Sequence, residues 1–250
     1  MNTYHTKKAI IVGATSGIGL EVAKLLTNGG WQIGIAGRRV ELLQQITENL
    51  PNVKTYREID VTEDTAVRTL HEMIDELGGM DLYFHSSGIG FQNVEFDTDK
   101  EDSTVQTNAV GFTRMVGAAF DYFKKNPNRN GHIAAISSIA GTKGLGAAPA
   151  YSATKRFQST YLECLEQLAR MEEHNIRITD IRPGFVATAL LKDGGSYPLQ
   201  LNAESVAKEI VSAIERKESV RIIDWKYRLL VFFWRMIPRC IWVRLKIKTK

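Results

Sequence analysis

The chain has 250 residues, 44% of them hydrophobic, which suits one large α/β domain with a filled core. Its two cysteines, Cys164 and Cys240, lie far apart without metal-ligand spacing, which argues against a disulfide framework and a metal site and favours a reducing compartment. The net charge of +4 is uneven, because residues 225–250 hold eight Lys or Arg and no acidic residue. The rest of the chain is therefore slightly acidic, which argues against nucleic-acid binding.

From residue 9 to residue 224, apolar runs of β type alternate with amphipathic stretches of helical period. The predicted elements, in chain order, are strand 9–14, helix 18–28, strand 31–37, helix 40–50, strand 53–61, helix 63–77, strand 81–88, helix 101–125, strand 131–138, helix 149–173, strand 176–184, helix 203–217 and strand 220–224. This alternation predicts a Rossmann-type, doubly wound, seven-stranded parallel sheet with helices on both faces. We expect a single domain at residues 1–224, followed by a basic, aromatic-rich tail at residues 225–250.

A glycine-rich turn follows the first predicted strand and opens the first predicted helix. In that position glycine lets the backbone approach a pyrophosphate closely, and free N–H groups at the helix N-terminus hold the anion. Structural turns use glycine too, so it is the place of this turn in the chain that favours dinucleotide binding. The candidate cofactor-binding residues here are Gly13, Thr15, Ser16, Gly17, Ile18 and Gly19.

The second predicted strand ends at Gly37 and is followed by Arg38 and Arg39. An NAD site usually carries an acidic residue near this point, whereas two guanidinium groups match the 2′-phosphate of NADP. The alternative is a solvated pair of charges at the start of a helix. Asp60, at the end of the third strand, is a candidate acceptor for the adenine amino group, and a turn or N-cap role is its alternative.

Tyr151 and Lys155 lie four residues apart in the run YSATK, on one face of a predicted helix. An ammonium near a phenol stabilises the phenolate, so we expect Lys155 to lower the pKa of Tyr151. Ser138 ends a predicted strand upstream, where its hydroxyl can bind a substrate oxygen. Tyr, Lys and Ser together suit proton transfer to a carbonyl oxygen, and an ordinary helix with polar faces is the alternative.

Over residues 7–224, these motifs together closely resemble the short-chain dehydrogenase/reductase family in its short form, which has about the length of this chain. The family's glycine motif TGxxxGxG is matched by GATSGIG, with Val12 in place of the leading Thr. Further matches are Asp60 and Val61 at the adenine, Asn108 in QTNAVG, Ser138, Tyr151 and Lys155 in YxxxK, Pro183 and Gly184 after the sixth strand, and Val186 and Thr188 in PGFVATAL.

The fourth predicted strand departs from the family pattern, because it ends His85-Ser86-Ser87-Gly88 where the family usually has NNAG. Gly88 is kept, so we expect Ser87 and Gly88 to lie close to the cofactor ribose. The two serines are expected to replace the asparagine hydrogen bonds with shorter ones. We expect His85 to be a half-buried histidine at a strand end rather than a catalytic imidazole.

The resemblance implies an NADPH-dependent oxidoreductase that reduces a ketone or aldehyde, with Tyr151 as proton donor. It also implies that Lys155 lowers the pKa of Tyr151 and binds the nicotinamide ribose, that Ser138 orients the carbonyl, and that Asn108 holds a water in a proton relay. A homodimer or homotetramer built on the two long helices is implied as well. The alternative is a catalytically weak NADP-binding sensor on the same fold.

Substrate choice is expected to lie in residues 89–100, 139–150 and 186–202, and the segment after Thr188 is the expected mobile lid. The candidate apolar lining residues are Phe91, Leu145, Phe185, Leu190, Leu191 and Tyr197. They favour an apolar carbonyl substrate without identifying it.

The tail at residues 225–250 holds three of the four tryptophans, and we expect Pro238 to divide any helix there into two short segments. Its apolar run LLVFFW is too short to span a bilayer. Contact with a membrane surface through aromatic and cationic side chains is one interpretation, and packing over the substrate pocket or a subunit interface is the other. The N-terminus does not resemble a signal peptide, so we expect a cytoplasmic protein, peripheral at the membrane if the first interpretation holds.

Overall fold

Residues 6–188, 197 and 199–247 are described by a computed structural model of the chain. The strands in these residues are β1 (Lys8–Val12), β2 (Gln32–Gly37), β3 (Val53–Glu58), β4 (Leu82–His85), β5 (Gly131–Ile136), β6 (Ile176–Arg182) and β7 (Val220–Ile222). The α-helices are α1 (Gly17–Asn28), α2 (Val40–Asn49), α3 (Ala66–Leu77), α4 (Thr98–Val105), α5 (Phe112–Lys125), α6 (Pro149–Met171), α7 (Ala203–Glu215), α8 (Trp225–Met236) and α9 (Arg239–Trp242). A π-helical turn, Gln106–Gly111, joins α4 to α5, and a 3₁₀ turn, Ile139–Gly141, follows β5.

The strands are ordered β3-β2-β1-β4-β5-β6-β7, and every neighbouring pair is parallel. The chain adds strands in one direction from β1 to β3 and then returns to the other side of β1 with β4. The loops after β1 and β4 diverge at this switch point, which leaves a crevice at the carboxyl edge of the sheet, where open α/β folds bind ligands. The predicted fold class is confirmed.

Helices cover both faces of the sheet, so its central strands are apolar along their length. Ile10 of β1 belongs to a buried cluster with side chains of α3, α5 and α6, such as Leu70. Ile11, the next residue along the strand, belongs to a second cluster with side chains of α1 and α7, such as Val22. Successive side chains of a strand point to opposite faces, so β1 packs against both helix layers. This packing holds in place the carboxyl end of β1, where the crevice opens.

Several strands end earlier than the sequence predicts. The strand predicted at residues 81–88 ends at His85, and the one predicted at residues 131–138 ends at Ile136. β3 and β6 also end two or three residues early. The first residue beyond some of these ends keeps one hydrogen bond to the neighbouring strand, as Ser86 N–H does to Val12 O and Ser137 N–H to Ile181 O, both at 2.8 Å, and the chain then enters the loops of the crevice.

The long helix predicted at residues 101–125 consists of three segments. α4 begins earlier than predicted, because the side chain of Asp97 accepts hydrogen bonds from the N–H groups of Asp99 and Lys100. The π-helical turn Gln106–Gly111 then interrupts the α-helical hydrogen bonding. Such turns concentrate at functional sites, and this one lies beside the crevice.

The tail folds as two helices, α8 and α9, which are divided at Pro238 as predicted. Tyr227 and Val231 of α8 are buried together with Ile139 of the loop after β5. In the described parts of the chain, no helix is both long enough and apolar enough to cross a bilayer.

Candidate active site

The glycine-rich turn at residues 13–19 lies in the crevice between the ends of β1 and β4. Gly13 has a φ of +92°, and its N–H donates to Ala36 O at 2.8 Å. A Cβ atom on Gly13 would lie 2.6 Å from the backbone nitrogen of Ser87, and one on Gly19 would lie 2.2 Å from Gly13 O. Side chains at these two positions would therefore push the turn away from the end of β4.

The turn leads directly into α1, which begins at Gly17. The N-cap residue, Ser16, makes no side-chain cap hydrogen bond, so the first N–H groups of the helix are not satisfied by it. Together with the helix dipole, these groups favour an anion at this point. The methyl group of Thr188, in the loop after β6, lies 3.1 Å from where a Cβ of Gly17 would be, so that loop closes against the turn.

Two arginines border the glycine turn. Arg39 donates from one guanidinium nitrogen to Thr15 Oγ1 at 2.6 Å and to Ser16 Oγ at 2.8 Å. Arg38 extends into solvent, and its guanidinium nitrogen lies 3.9 Å from a carboxylate oxygen of Asp60. Arg39 is therefore held against the turn, and Arg38 matches the solvated charge that the sequence offered as an alternative.

Asp60 stabilises a turn after β3. Its Oδ1 accepts from the N–H of Thr62 at 3.0 Å and from the hydroxyl of Thr62 at 2.7 Å. Burial alone raises the pKa of Asp60, but the hydrogen bonds from Thr62 and the charge of Arg38 outweigh it and hold the pKa below its ordinary value. The turn role is thus present, and the adenine contact of Asp60 and Val61 stays a prediction.

The crevice fits a dinucleotide. The turn has no room for side chains at Gly13 and Gly19, it leads into the N-terminus of a helix, and a guanidinium group is held beside it. These features suit the pyrophosphate of the cofactor and a further phosphate on its ribose.

Tyr151 and Lys155 lie near the start of α6. Nζ of Lys155 donates to Ile136 O at 2.9 Å and to Gln158 Oε1 at 2.9 Å, and it lies 5.7 Å from the centroid of the Tyr151 ring. Burial lowers the pKa of Lys155 to about 8, and the carboxylate of Asp180 acts in the opposite direction. Below that pH, Lys155 is an ammonium ion.

The pKa of Tyr151 is shifted in the direction opposite to our expectation. Burial raises it, and a hydrogen bond with Ser138 acts in the opposite direction without outweighing burial. The Lys155 ammonium does not lower it, because that group is directed at Ile136 O and Gln158 rather than at the phenol oxygen. Tyr151 therefore keeps its proton at neutral pH, which suits a proton donor.

Ser138 lies just beyond β5, as the N-cap of the 3₁₀ turn. Its Oγ accepts from the N–H of Ala140 at 3.1 Å and lies 3.4 Å from Pro183 O. The neighbouring Ser137 points elsewhere and hydrogen-bonds to Asp180. Of the two serines, Ser138 is thus the one whose hydroxyl reaches Tyr151.

Asn108 is buried in the π-helical turn. Its Oδ1 accepts from the N–H of Ile89 at 2.9 Å, and its Nδ2 donates to Ile89 O at 2.6 Å. This pair of hydrogen bonds ties the π-helical turn to the loop after β4. The water-holding role of Asn108 stays a prediction.

Sequence reasoning missed Gln158. Its side chain is fully buried and bridges two site residues, because Oε1 accepts from Lys155 and Nε2 donates to Asn108 O at 2.8 Å. A signal was present, since Tyr151, Lys155 and Gln158 are spaced i, i+4 and i+7 along one face of a helix. That spacing does not show which group of another segment the amide contacts.

His85, at the end of β4, is fully buried rather than half-buried as expected. Its Nδ1 lies 2.9 Å from the hydroxyl of Tyr83, and its ring packs edge-on against Phe112. Burial and the charge of Lys155 lower the pKa of His85 to about 3, against the opposing effect of a hydrogen bond with Ser87. The imidazole is therefore neutral at physiological pH and forms part of the wall of the site.

Two glycines in the loop after β4 let the side chains of Asn108, Tyr151 and Lys155 lie against the backbone of that loop. A Cβ atom on Gly88 would lie 3.2 Å from Asn108 Oδ1 and 3.6 Å from Lys155 Nζ. One on Gly90 would lie 2.4 Å from the ring of Tyr151. The structure thus brings the loop after β4 into contact with all three side chains, and Gly90 is a second residue that sequence reasoning missed.

The expected apolar lining is present in part. The rings of Phe185 and Tyr197 pack with their centroids 4.8 Å apart, and Phe91 is partly exposed. Leu190 and Leu191, with most of the predicted lid, lie outside the described residues. Leu145 lines a groove between the loop at 141–147 and α9, and Tyr151 is not among the residues that line that groove.

The tail packs on the loop after β6, which carries Pro183, Gly184, Val186 and Thr188. The ring of Tyr227 lies so close to Gly184 that a Cβ atom there would be 2.1 Å from it. The hydroxyl of Tyr227 accepts from the N–H of Phe185 and donates to Leu199 O, both at 3.1 Å. One face of α8 therefore packs on the loop after β6 and on Ile139, so the tail covers part of the chain's own fold next to the crevice.

Comparison with known proteins agrees with this geometry. A family described as short chain dehydrogenase matches residues 7–196. Relatives include Dehydrogenase/reductase SDR family member 7B of Bos taurus, 29% identical over 92% of this chain and 77% of that protein, and an uncharacterized oxidoreductase of Myxococcus xanthus, 30% identical over 94% of each. The fold is similar to that of an alcohol dehydrogenase from the archaeon Thermococcus sibiricus complexed with 5-hydroxy-NADP, with a TM-score of 0.75 and 20% identity over 88% of this chain and 96% of that one. Since the matched region holds the glycine turn, the π-helical turn and the start of α6, the chain belongs to the short chain dehydrogenase family and is an NAD(P)-dependent dehydrogenase/reductase.

Proposed function

We propose that the chain reduces a ketone or aldehyde to an alcohol with NADPH, reversibly, on an apolar substrate. The observation that carries the proposal is Tyr151, which keeps its proton, hydrogen-bonds with Ser138 and lies beside the Lys155 ammonium. The nicotinamide cofactor supplies the hydride when bound. The chain supplies the proton, which Tyr151 gives to the carbonyl oxygen while Ser138 holds that oxygen.

Lys155 serves the same step from the cofactor side. Its Nζ is directed at Ile136 O and Gln158 rather than at the Tyr151 oxygen, and we assign its remaining N–H to the ribose next to the nicotinamide. Asn108 keeps the loop after β4 in position through its two hydrogen bonds to Ile89.

We assign the cofactor to the crevice at the carboxyl edge. The proposed contact residues are Gly13, Thr15, Ser16, Gly17, Ile18, Gly19, Arg38, Arg39, Asp60, Val61, Ser87, Gly88, Asn108, Tyr151, Lys155, Pro183, Gly184, Val186 and Thr188. The two arginines support a preference for NADPH over NADH, because one charge-assisted hydrogen bond to a 2′-phosphate is worth about 1.5–3 kcal/mol, which is roughly tenfold or more in affinity.

The test is NADPH oxidation with a panel of apolar ketones and aldehydes. Tyr151→Phe should bind NADPH and lose most of the turnover, because the ring packing remains and the proton donor is gone. Tyr161→Phe, on the same helix, is the matched control and should keep its turnover. Near-normal turnover by Tyr151→Phe would contradict the mechanism, and NADPH binding without turnover on any carbonyl would favour the sensor alternative.

We propose a homodimer, formed in part through α6. Phe157, Leu168 and Met171 are partly or largely exposed along this helix, at positions i, i+11 and i+14, which place them on one face. An isologous contact around a two-fold axis would cover such a face on both copies.

We propose that the second face of α8 docks on an anionic lipid surface. Five large apolar residues lie on it at helical spacing, each more than half exposed: Trp225, Leu229, Phe232, Phe233 and Met236. They lie opposite the buried Tyr227 and Val231, so the two interpretations of the tail belong to different faces of one helix.

The charge of the tail favours lipid over a second copy of the chain. The tail carries cations such as Lys226, Arg228 and Arg235 and no acidic residue, so two copies of this face would repel each other. Each cation near an anionic leaflet contributes about 1 kcal/mol of attraction.

Point variants on the exposed face give the sharpest test of lipid docking, because a truncation at Asp224 would also remove the buried Tyr227. We expect the unaltered chain to sediment with phosphatidylglycerol vesicles at low salt, and Phe232→Ser with Phe233→Ser to remain mainly in the supernatant. Val105→Ser, on α4, is the control. Equal sedimentation of the unaltered chain and the double variant would contradict lipid docking.

A further inference from the structure

The ammonium group of Lys155 is held by two acceptors of the chain itself. An ammonium has three N–H donors and no acceptor. One donates to Ile136 O and one to Gln158 Oε1, each at 2.9 Å. A single N–H is left, and Nζ lies 3.6 Å from where a Cβ of Gly88 would be in the loop after β4. The direction of that N–H is set by the two bonds already made, one to a strand end and one to a side chain of the same helix.

Gln158 is fixed at both ends of its amide. Its Oε1 accepts from Lys155, and its Nε2 donates to Asn108 O in the π-helical turn at 2.8 Å. The side chain is fully buried. An apolar residue of similar shape would fill the same volume, so what the amide adds is a direction for the ammonium and a link between α6 and the π-helical turn.

The charged and titratable groups around Lys155 do not replace this contact. Asp180, on β6, acts on Lys155 through its charge, but its carboxylate accepts from Ser137 and pairs with Arg182 at 2.6 Å. His85, on β4, is neutral. Tyr151, on the same helix, presents its ring to the ammonium. Among the side chains of the described residues, the amide of Gln158 provides the acceptor within hydrogen-bond distance of Nζ.

We propose that Gln158 is a positioning residue that fixes Lys155, so that one N–H of the ammonium is presented to the cofactor ribose and the charge stays beside Tyr151. This inference rests on the proposed function, in which Lys155 acts as an ammonium. It adds a residue outside the YxxxK motif, because the direction and the protonation of the Lys155 amine would then depend on Gln158.

The experiment compares Gln158→Met, which keeps the shape and removes both hydrogen bonds, with Gln158→Glu, which places a carboxylate beside the ammonium. Gln167→Met, exposed on the same helix, is the matched control. The dissociation constant of NADPH and the pH profile of kcat/KM are measured for each full-length protein. Turnover should fall on the alkaline side as Lys155 loses its proton.

We expect Gln158→Met to move the alkaline midpoint down by about one pH unit and Gln158→Glu to move it up, because the first removes an acceptor from the charged form and the second adds an opposite charge. Gln158→Met should also weaken NADPH binding several-fold. A purely structural role would lower stability and leave both midpoints in place. Midpoints and NADPH affinities of both variants equal to those of Gln167→Met would overturn the proposal.

The pH dependence of NADPH binding separates this inference from the proposed function. If the unaltered chain binds NADPH but reduces no carbonyl, the reductase proposal fails. The positioning role can still be tested, because the pH midpoint of NADPH binding should move in Gln158→Met and in Gln158→Glu. If those midpoints do not move, the positioning role fails whatever the turnover.

Discussion

The buried imidazole of His85 is expected to make the fold sensitive to acid. Its pKa is lowered from 6.5 to about 3, by burial and by the charge of Lys155. Between these two pH values the unfolded chain binds a proton that the folded chain does not, so the free energy of unfolding falls as the pH falls. The stabilising effect of the neutral ring is complete above the unfolded pKa and is lost on the way down to the folded one. From pH 7 to pH 5 this loss is about 2 kcal/mol, and over the whole range it is about 5 kcal/mol.

The assay is urea unfolding at pH 7 and pH 5, at one protein concentration, for the unaltered chain and for His85→Asn. The variant lacks the titrating ring, so its loss of stability between the two pH values should be smaller by about 2 kcal/mol, whatever its stability at pH 7. His132, whose pKa burial and nearby cations lower to about 4, contributes a similar loss in both proteins. His71→Asn, exposed on α3, is the control and should keep the full loss. An unchanged pH dependence in His85→Asn would refute the reasoning.

Three further outcomes test the site and the assembly. Lys155→Ala should lose NADPH affinity as well as turnover, because it removes the buried ammonium; an unchanged dissociation constant by fluorescence titration would contradict this. Arg38→Asp should erase or reverse the preference for NADPH over NADH, because it replaces a guanidinium with an acid, and an unaltered ratio of the two dissociation constants would speak against it. Light scattering at micromolar concentration should give the mass of a dimer or larger, which Met171→Lys should reduce. A monomeric mass of the unaltered chain would count against the dimer.

The fold could be predicted because its signals are local. Buried strands such as β1 are apolar on both faces, and each helix between them shows its own period, so the alternation alone implies a parallel sheet. The errors lie at strand ends and in the helix predicted at residues 101–125, which the π-helical turn divides. The apolar pattern predicts Ser138 at the end of β5, but its hydroxyl accepts from the N–H of Ala140 and so begins the 3₁₀ turn instead.

The site was less predictable, because its properties depend on contacts between distant segments. The amide of Gln158 meets Asn108 O fifty residues away in the chain, and no spacing within α6 indicates that partner. The pKa of Tyr151 rises because the crevice walls bury its ring, which no neighbouring residue in YSATK reveals. The complete burial of His85 likewise depends on Phe112 of α5. Motifs identify residue types at a site, and packing sets their charge.

The substrate segment, by which we mean residues 186–202 where part of the substrate choice is expected to lie, should depend on Tyr227 for its position, although this residue lies in the tail and outside every catalytic motif. Its hydroxyl accepts from the N–H of Phe185 and donates to Leu199 O. Phe185 precedes this segment in the chain, and Leu199 lies near its end. Tyr227→Phe keeps the ring against Gly184 and removes both hydrogen bonds. Loss of a partner for part-buried polar groups costs about 1–3 kcal/mol, so KM for an apolar ketone should rise roughly fivefold or more. The dissociation constant of NADPH should change less than KM, because the ring of Tyr227 stays against Gly184 and the backbone of the proposed cofactor contact there is kept. Steady-state kinetics and NADPH titration of the variant measure the two values, and a KM that stays the same would show that the tail does not hold the substrate segment in place.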